Sequence, residues 1–238
     1  MIVNKAYRYR IYPTREQKIT FAKTFGCVRF IYNKMLSDRI DYYKETGQKL
    51  NNTPAQYKEE FPWLKEVDSL ALANAQMNLN KAYSHFWNDS KHFGKPRFKS
   101  KKNCCASYST NNQKGSVRIE GHKVKLPKVG WVKLCQHRPL PENSIIKTVT
   151  ISKTPSGKYY ISMLVEYENQ ILPVIPKTFL GLDFVMHGLY VASDEEDAEY
   201  PDFLRTAEKR LAKAQRKLSQ KQKGSHNREK QRLRVAIL

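Results

Sequence analysis

The segment KAYRYRIY, Lys5 to Tyr12, alternates strictly, and the next strand-like sequence begins only after the whole helical stretch 14–105. Lys5, Tyr7, Tyr9 and Ile11 fall on one side of such a strand; Ala6, Arg8, Arg10 and Tyr12 fall on the other. Pro13 ends it, because proline has no N–H for a ladder. From Ser107 to Tyr167 the texture is of short strands. Val117–Ile119 and His122–Leu126 flank a turn at Glu120-Gly121, and Trp131–Leu134 follows. Ile145–Ser152 and Lys158–Tyr167 then form a hairpin over Pro155-Ser156-Gly157. Strands at this spacing predict a small barrel. The first strand would complete it, which makes the helical region an insertion.

Within that insertion, Thr14 with Gln17 three residues on predicts a capping box. A helix follows to about Glu45, with Gly47 as its stop. Phe21, Phe25, Val28, Tyr32 and Met35 recur at helical spacing and read as packing core. Asn51 to Lys65 is turn-rich, punctuated by Pro54 and Pro62. Asp68 is placed to cap a second helix, Ser69 to Asn88, with Leu72, Ala75, Leu79, Ala82 and Phe86 as its apolar stripe. Its opposite face carries Asn and Gln rather than charge. Two such helices predict a bundle. Trp63, Trp87 and Trp131 read most simply as packing residues.

Charge defines the partner class. The 238 residues hold 43 Lys+Arg against 22 Asp+Glu, a formal net charge of +21, with 14 Tyr and 10 Phe. That balance predicts a polyanion, and nucleic acid above others, since phosphates take Lys and Arg while bases take aromatic faces. Lys91 to Lys102 concentrates the pattern. Lys95, Arg97, Lys99, Lys101 and Lys102 surround Phe93 and Phe98, beside the helix breakers Gly94 and Pro96. A contact surface and a solvated linker both fit this stretch, the first better. Tyr7, Arg8 and Arg10 on the first strand are further candidate contacts, although Tyr7 equally suits the barrel interior.

Near the end, Leu204, Leu211 and Leu218 keep heptad spacing, with Ala207 and Ala214 between them. Around this seam lie Lys209, Arg210, Lys213, Arg216, Lys217, Lys221 and Lys223. Beyond a break at Gly224 to Asn227 come Arg228, Lys230 and Arg232. The pattern predicts a basic helical hairpin that reads phosphate rather than sequence. Leu233 and Ile237 could face back to the first helix.

Other classes are disfavoured. No apolar run is long enough to span a bilayer, and Met1–Tyr9 lacks the apolar core of a signal peptide. Cys27, Cys104, Cys105 and Cys135 include no CxxC pair, which predicts reduced thiols and a cytoplasmic, nucleoid-associated protein. Pro173 and Pro176 mark a linker. The acidic segment Ser193–Asp202 reads as a solvated turn rather than a metal loop.

The remaining motif is FLGLDFVMHGLY, Phe179 to Tyr190. Its apolar run puts Asp183 on or near a strand, as in the first hairpin of a ribonuclease-H-like nuclease. His187 reads as a surface residue. Taken with KAYRYRIYPTREQ, FAKTFGCVRFIYN, FPWLKEVDSLALANAQMNLNKAY, GKPRFKSKKN and AEKRLAKAQRKLSQKQKGSHNREKQRLRVA, it resembles the TnpB family of transposon-encoded proteins. Those are relatives of the compact type V CRISPR nucleases. The motifs run from end to end in the family's order.

The resemblance implies an α+β, multi-domain protein. Residues 1–13 would give the first strand of a wedge barrel, 14–105 a helical recognition lobe, and 106–176 the rest of the barrel. Residues 177–238 would form the N-terminal part of a RuvC-like nuclease domain with the basic hairpin. It implies a guide RNA and a double-stranded DNA target as partners, no membrane, and Mg²⁺ as the cofactor. Asp183 matches the family's first catalytic, metal-binding carboxylate. The family's later catalytic Glu and Asp have no counterpart here, and no cysteine beyond Cys135 could build its zinc ribbon. The expectation is therefore a truncated nuclease that binds nucleic acid without cutting it. Completion by a separate C-terminal segment and a nonfunctional transposon remnant remain the alternatives.

Overall fold

The computed structural model describes residues 1–102, 106–168, 176–186, 188–194, 197–198 and 203–238. The expected linker residue Pro173, the Cys104–Cys105 pair, His187 and much of the acidic segment lie outside the described residues. The chain divides into two compact units, Met1–Asn169 and Gln170–Leu238.

The first unit is built on a seven-stranded antiparallel sheet. Its strands are β1 (Ile2–Tyr12), β2 (Ala106–Asn111), β3 (Arg118–Glu120), β4 (Lys123–Leu126), β5 (Gly130–Cys135), β6 (Ile145–Lys153) and β7 (Tyr159–Glu168). They run in the order β2-β6-β7-β1-β5-β4-β3, so the first strand sits at the centre. β1 pairs β7 along almost its whole length, from Ile2↔Glu168 to Ile11↔Tyr159, and β5 at Arg10↔Cys135 to Tyr12↔Lys133. The alternation sets its two faces. Tyr7, Tyr9 and Ile11 are buried on one face, while Arg8 and Tyr12 are exposed on the other.

The sheet curls around its apolar face, since Tyr108 on β2 and Val124 on β4 share one core with the central strands. It does not close into the expected barrel. In the hydrogen-bonded order β2 and β3 are the two edges. The reason lies in what fills the concave face. Phe21 and Phe25 enter this core from the first helix, with Phe21 centred 5.7 Å from Tyr159 and 6.4 Å from Tyr108. A helix occupies the volume that the strands' own side chains would fill in a closed barrel.

That helix, α1 (Arg15–Thr46), begins at the expected capping box. The Gln17 N–H donates to the Thr14 hydroxyl, and the Gln17 carboxamide accepts from the Thr14 N–H. It stops at Gly47, whose φ of 68° is left-handed and favours glycine. A four-residue helix, α2 (Tyr57–Glu60), and a 3₁₀ turn, Pro62–Glu66, lead to α3 (Ser69–Asn88). The far half of α1 packs on α3 in a second core of Ile31, Met35, Leu36, Leu64, Leu72 and Leu79. Each such side chain stabilises by about 1.5–3 kcal/mol relative to exposure. Around it, Arg39 Nε donates to Asn52 Oδ1 and its Nη1 to Asn80 Oδ1, both at 2.8 Å, which fixes the turn-rich segment.

Two of the three tryptophans depart from expectation, while Trp131 is half-buried on β5. Trp63 and Trp87 are 41% and 68% exposed. Trp63 lies edge-on to Phe30 and Phe61, at 4.9 and 5.9 Å between ring centroids.

The second unit holds a three-stranded sheet in the order β10-β9-β8, from β8 (Leu182–Asp183), β9 (Tyr190–Ala192) and β10 (Asp197–Ala198). Gly188 sits close at its turn, where a Cβ would meet the Ala198 carbonyl at 3.1 Å and require it to shift by a few tenths of an ångström. Two helices follow, α4 (Phe203–Ser219) and α5 (His226–Ile237), packed on each other as a hairpin. Leu233 and Ile237 are exposed rather than covered. Among the described residues, no helix is long and apolar enough to cross a membrane.

Candidate nucleic-acid interface

Three basic surfaces emerge, two on the first unit and one on the second. The first is a ladder on the convex face of the sheet. The Arg8 guanidinium sits 4.4 Å from the Tyr160 ring centroid, and that of Arg10 lies between Tyr160 and Tyr12, at 5.6 and 5.1 Å. Register causes this, because Arg10 and Tyr160 are directly opposed on β1 and β7. Arg10 Nε is buried and has no hydrogen-bond partner among the described residues. A planar guanidinium held between rings suits a phosphate or carbonyl oxygen through its terminal nitrogens, not through the buried Nε. Tyr7, the third candidate here, belongs elsewhere. It is 5% exposed, on the core face, with the Arg138 guanidinium 4.4 Å over its ring. Its aromatic bulk serves packing, and Arg138 covers it.

The second surface is the strap 89–102 that leaves α3. Asp89 anchors its start, accepting from the His92 N–H at 3.3 Å, and Phe93 packs edge-on against His85 at 4.9 Å. Its far end is fastened to α1. Asn33 Nδ2 donates to the Lys99 carbonyl at 2.9 Å, and the Lys99 N–H donates to Asn33 Oδ1 at 2.8 Å. The Lys99 ammonium lies 4.0 Å over the Tyr32 ring, so this lysine faces the protein. Lys95, Arg97, Lys101 and Lys102 are exposed, with Phe98 59% exposed among them.

Beside Lys99 lies a small cleft of about 90 Å³, where Arg29, Asn74, Asn78, Ser107 and Ser109 meet apolar Phe25, Val28, Ala71 and Ala75, and where the Asn74 amide donates to the Leu70 carbonyl at 2.9 Å. Asn and Arg side chains are those that pair with base edges. Sequence reasoning did not select these residues. The signal was the uncharged Asn and Gln face of α3.

The third surface is the hairpin. Lys209, Arg210, Lys213, Arg216, Lys217, Lys221, Lys223 and Lys230 are exposed. Two predicted contacts also have partners within the protein, Arg228 in the backbone and Arg232 in an exposed ion pair. Arg228 Nη1 donates to the carbonyls of Leu218 and Lys221, at 2.9 and 2.7 Å, and so caps the C-terminal end of α4. Arg232 pairs with Glu229 at 2.8 Å. Gln231, 7% exposed, donates to the Ala214 carbonyl at 3.0 Å and pins the two helices together.

Asp183 is exposed on β8, opposite Val191 on β9. Among the described residues no three His, Cys, Asp or Glu side chains converge to hold a metal ion.

These features define a basic α+β protein of two units, with charged surfaces held on ordered backbone. Residues 1–48 match the family model HTH_OrfB_IS605, described as a helix-turn-helix domain, although they form one strand and one 32-residue helix here. Residues 162–238 match OrfB_IS605, described as a probable transposase. A Streptomyces pristinaespiralis protein named "Putative RNA-guided DNA endonuclease" is 34% identical over 242 residues, covering 98% of this chain and 59% of that protein. The Escherichia coli K12 protein "Putative RNA-guided DNA endonuclease InsQ" is 29% identical over 243 residues, covering 98% and 58%. The chain thus spans about three fifths of the length of these curated relatives. A CRISPR-Cas12f ternary complex is similar at a TM-score of 0.43 and 11% identity, over 92% of this chain and 56% of that one. The chain belongs to the TnpB (OrfB) family of transposon-encoded proteins.

Proposed function

We propose that this chain binds a guide RNA and, through it, a double-stranded DNA target. The observation that carries this reading is the strap, where exposed Lys95, Arg97, Lys101 and Lys102 ride on a backbone fastened to α1. An ordered cationic segment contacts phosphates without first losing its conformational freedom. In this reading residues 1–13 and 106–176 form the wedge element, and the Arg8–Tyr160–Arg10 ladder contributes phosphate contacts. Residues 14–105 form the recognition lobe, in which Arg29, Asn74 and Asn78 read base edges. Residues 177–238 contribute the hairpin cations.

Asp183 is the proposed metal-binding carboxylate, with Mg²⁺ as the ion. Two-metal phosphodiester hydrolysis needs several carboxylates around ions about 4 Å apart. The described residues do not converge on such a site. They do not fit the metal by themselves, and no hydrolytic step is assigned to these 238 residues alone.

A second reading is favoured by the apolar side chains around β8. Phe179, Phe184 and Met186 are 87%, 69% and 90% exposed, a surface suited to packing against further polypeptide. A nuclease completed in that way would cut DNA only with the additional segment present, and would lose that activity in Asp183→Ala.

The test of the binding reading is to purify the chain from its host and sequence the RNA that accompanies it. One dominant RNA that survives moderate salt supports guide binding. A broad mixture of cellular RNA, lost at that salt, means charge-driven association and overturns the reading.

A further inference from the structure

We infer that Asn33 is a positioning residue for nucleic-acid binding, acting through the backbone of Lys99. The inference rests on the proposed binding function and names what organises its central surface.

Asn33 lies on α1, and Lys99 is 66 residues away in sequence. The Asn33 carboxamide satisfies both backbone groups of Lys99, donating to the carbonyl at 2.9 Å and accepting from the N–H at 2.8 Å. This reproduces what a neighbouring strand would supply, at one residue of a segment that belongs to no strand. Lys99 is held a second way, with its ammonium 4.0 Å over the Tyr32 ring. The strap thus has two anchors. One is at α3, where Phe93 meets His85; the other is Asn33 and Tyr32, midway along α1.

Gly94 to Phe98 spans these anchors, and Lys101 and Lys102 follow immediately after the second. Released from Asn33, residues 94–102 would sample many conformations, and binding would have to restrict them again. Only asparagine or glutamine can donate and accept in this way, and the added methylene of glutamine would displace the pair. Asn33 is uncharged and takes no part in phosphate neutralisation. Its removal therefore has a signature unlike that of removing a cation.

The test uses the full chain and a fluorescein-labelled 20-nucleotide oligouridine, titrated over a range of KCl concentrations. Wild type should bind with affinity falling linearly on a log–log salt plot. A chain showing no salt-dependent affinity would overturn the binding reading itself, independently of Asn33. In Asn33→Ala the affinity should fall roughly fivefold to tenfold, with the salt slope unchanged. In Lys101→Ala the affinity should also fall, but with the slope reduced by about 0.7.

Trypsin supplies a readout that needs no ligand. Cleavage after Arg97 and Lys99 should be several times faster in Asn33→Ala than in wild type. Alanine is a strong helix former, so α1 should persist, and a thermal melt checks this. Asn33→Asp, which keeps the acceptor for the Lys99 N–H but loses the donor, should lie between wild type and Asn33→Ala in proteolysis. Faster proteolysis with unchanged oligouridine affinity would reduce Asn33 to a structural fastening and overturn the inference. Unchanged proteolysis would overturn it as well.

Discussion

Asp68 and Thr110 join the helical region to the sheet. The Asp68 carboxylate accepts from the Leu70 N–H at 3.1 Å, capping α3, and also accepts from the Thr110 hydroxyl on β2. Both residues are buried, at 9% and 0% exposed. Asp68→Ala removes the cap and strands a buried hydroxyl, and should cost about 2–4 kcal/mol. Thermal or urea unfolding measures this. A variant as stable as wild type would show that the helices and sheet are held together by apolar contact alone.

Burial pushes the Cys27 thiol up to about 11 from its ordinary value of 9.0. The unfolded chain therefore loses this proton first as pH rises. The contribution to stability is full below pH 9.0 and is lost as pH climbs toward about 11. Cys27 is also 4% exposed, whereas Cys135 is exposed on β5. At pH 8, iodoacetamide followed by peptide mapping should label Cys135 quickly and Cys27 only on unfolding. Equal rates would contradict the packing of α1.

Arg228 is expected to behave as a cap rather than a phosphate contact. Arg228→Ala leaves the Leu218 and Lys221 carbonyls without their charged donor and should destabilise the hairpin by about 1–3 kcal/mol. The salt slope of RNA binding should not change. Lys213→Ala should do the reverse, keeping hairpin stability and reducing the slope. Circular dichroism with salt-dependent binding separates the two.

The difference between these residues shows how far the sequence could be read. In the sequence Arg228 and Lys213 are equivalent charges. What distinguishes them is the turn 220–225, which brings two carbonyls within reach of one guanidinium. The capping box at Thr14, the stop at Gly47, the cap at Asp68 and the strand at β1 were all legible, because each is written in local spacing or alternation, whereas the central place of β1 rests on pairings distant in sequence. Tyr7, a candidate contact, proves to be core, although its alternation with Tyr9 and Ile11 carried that alternative. Barrel closure was not legible, because it depends on Phe21 and Phe25 of α1 filling the concave face, a contact distant in sequence. Nor was the exposure of Trp63, whose partners Phe30 and Phe61 meet only after α1 and the 3₁₀ turn pack together.

The cleft beside Lys99 gives a prediction about sequence preference. Asn74→Ala and Asn78→Ala remove uncharged polar groups from the cleft, Asn78 a whole carboxamide and Asn74 one whose amide already donates to the Leu70 carbonyl. Each should lower discrimination between preferred and altered DNA sequences by about 1–3 kcal/mol, without altering the salt slope. Competition binding over a randomised DNA library reads both quantities. Unchanged preference in both variants would remove the cleft from the interface.

The most direct measurement is the affinity of the full chain for a DNA duplex, with and without its copurified RNA, at physiological salt. The duplex should carry a stretch complementary to that RNA. Binding through a guide predicts affinity at least about a hundredfold higher with the RNA present, lost when the complementary stretch is scrambled. Equal affinity in both conditions, unaffected by scrambling, would mean that the basic surfaces bind DNA by charge alone, and the account would be wrong.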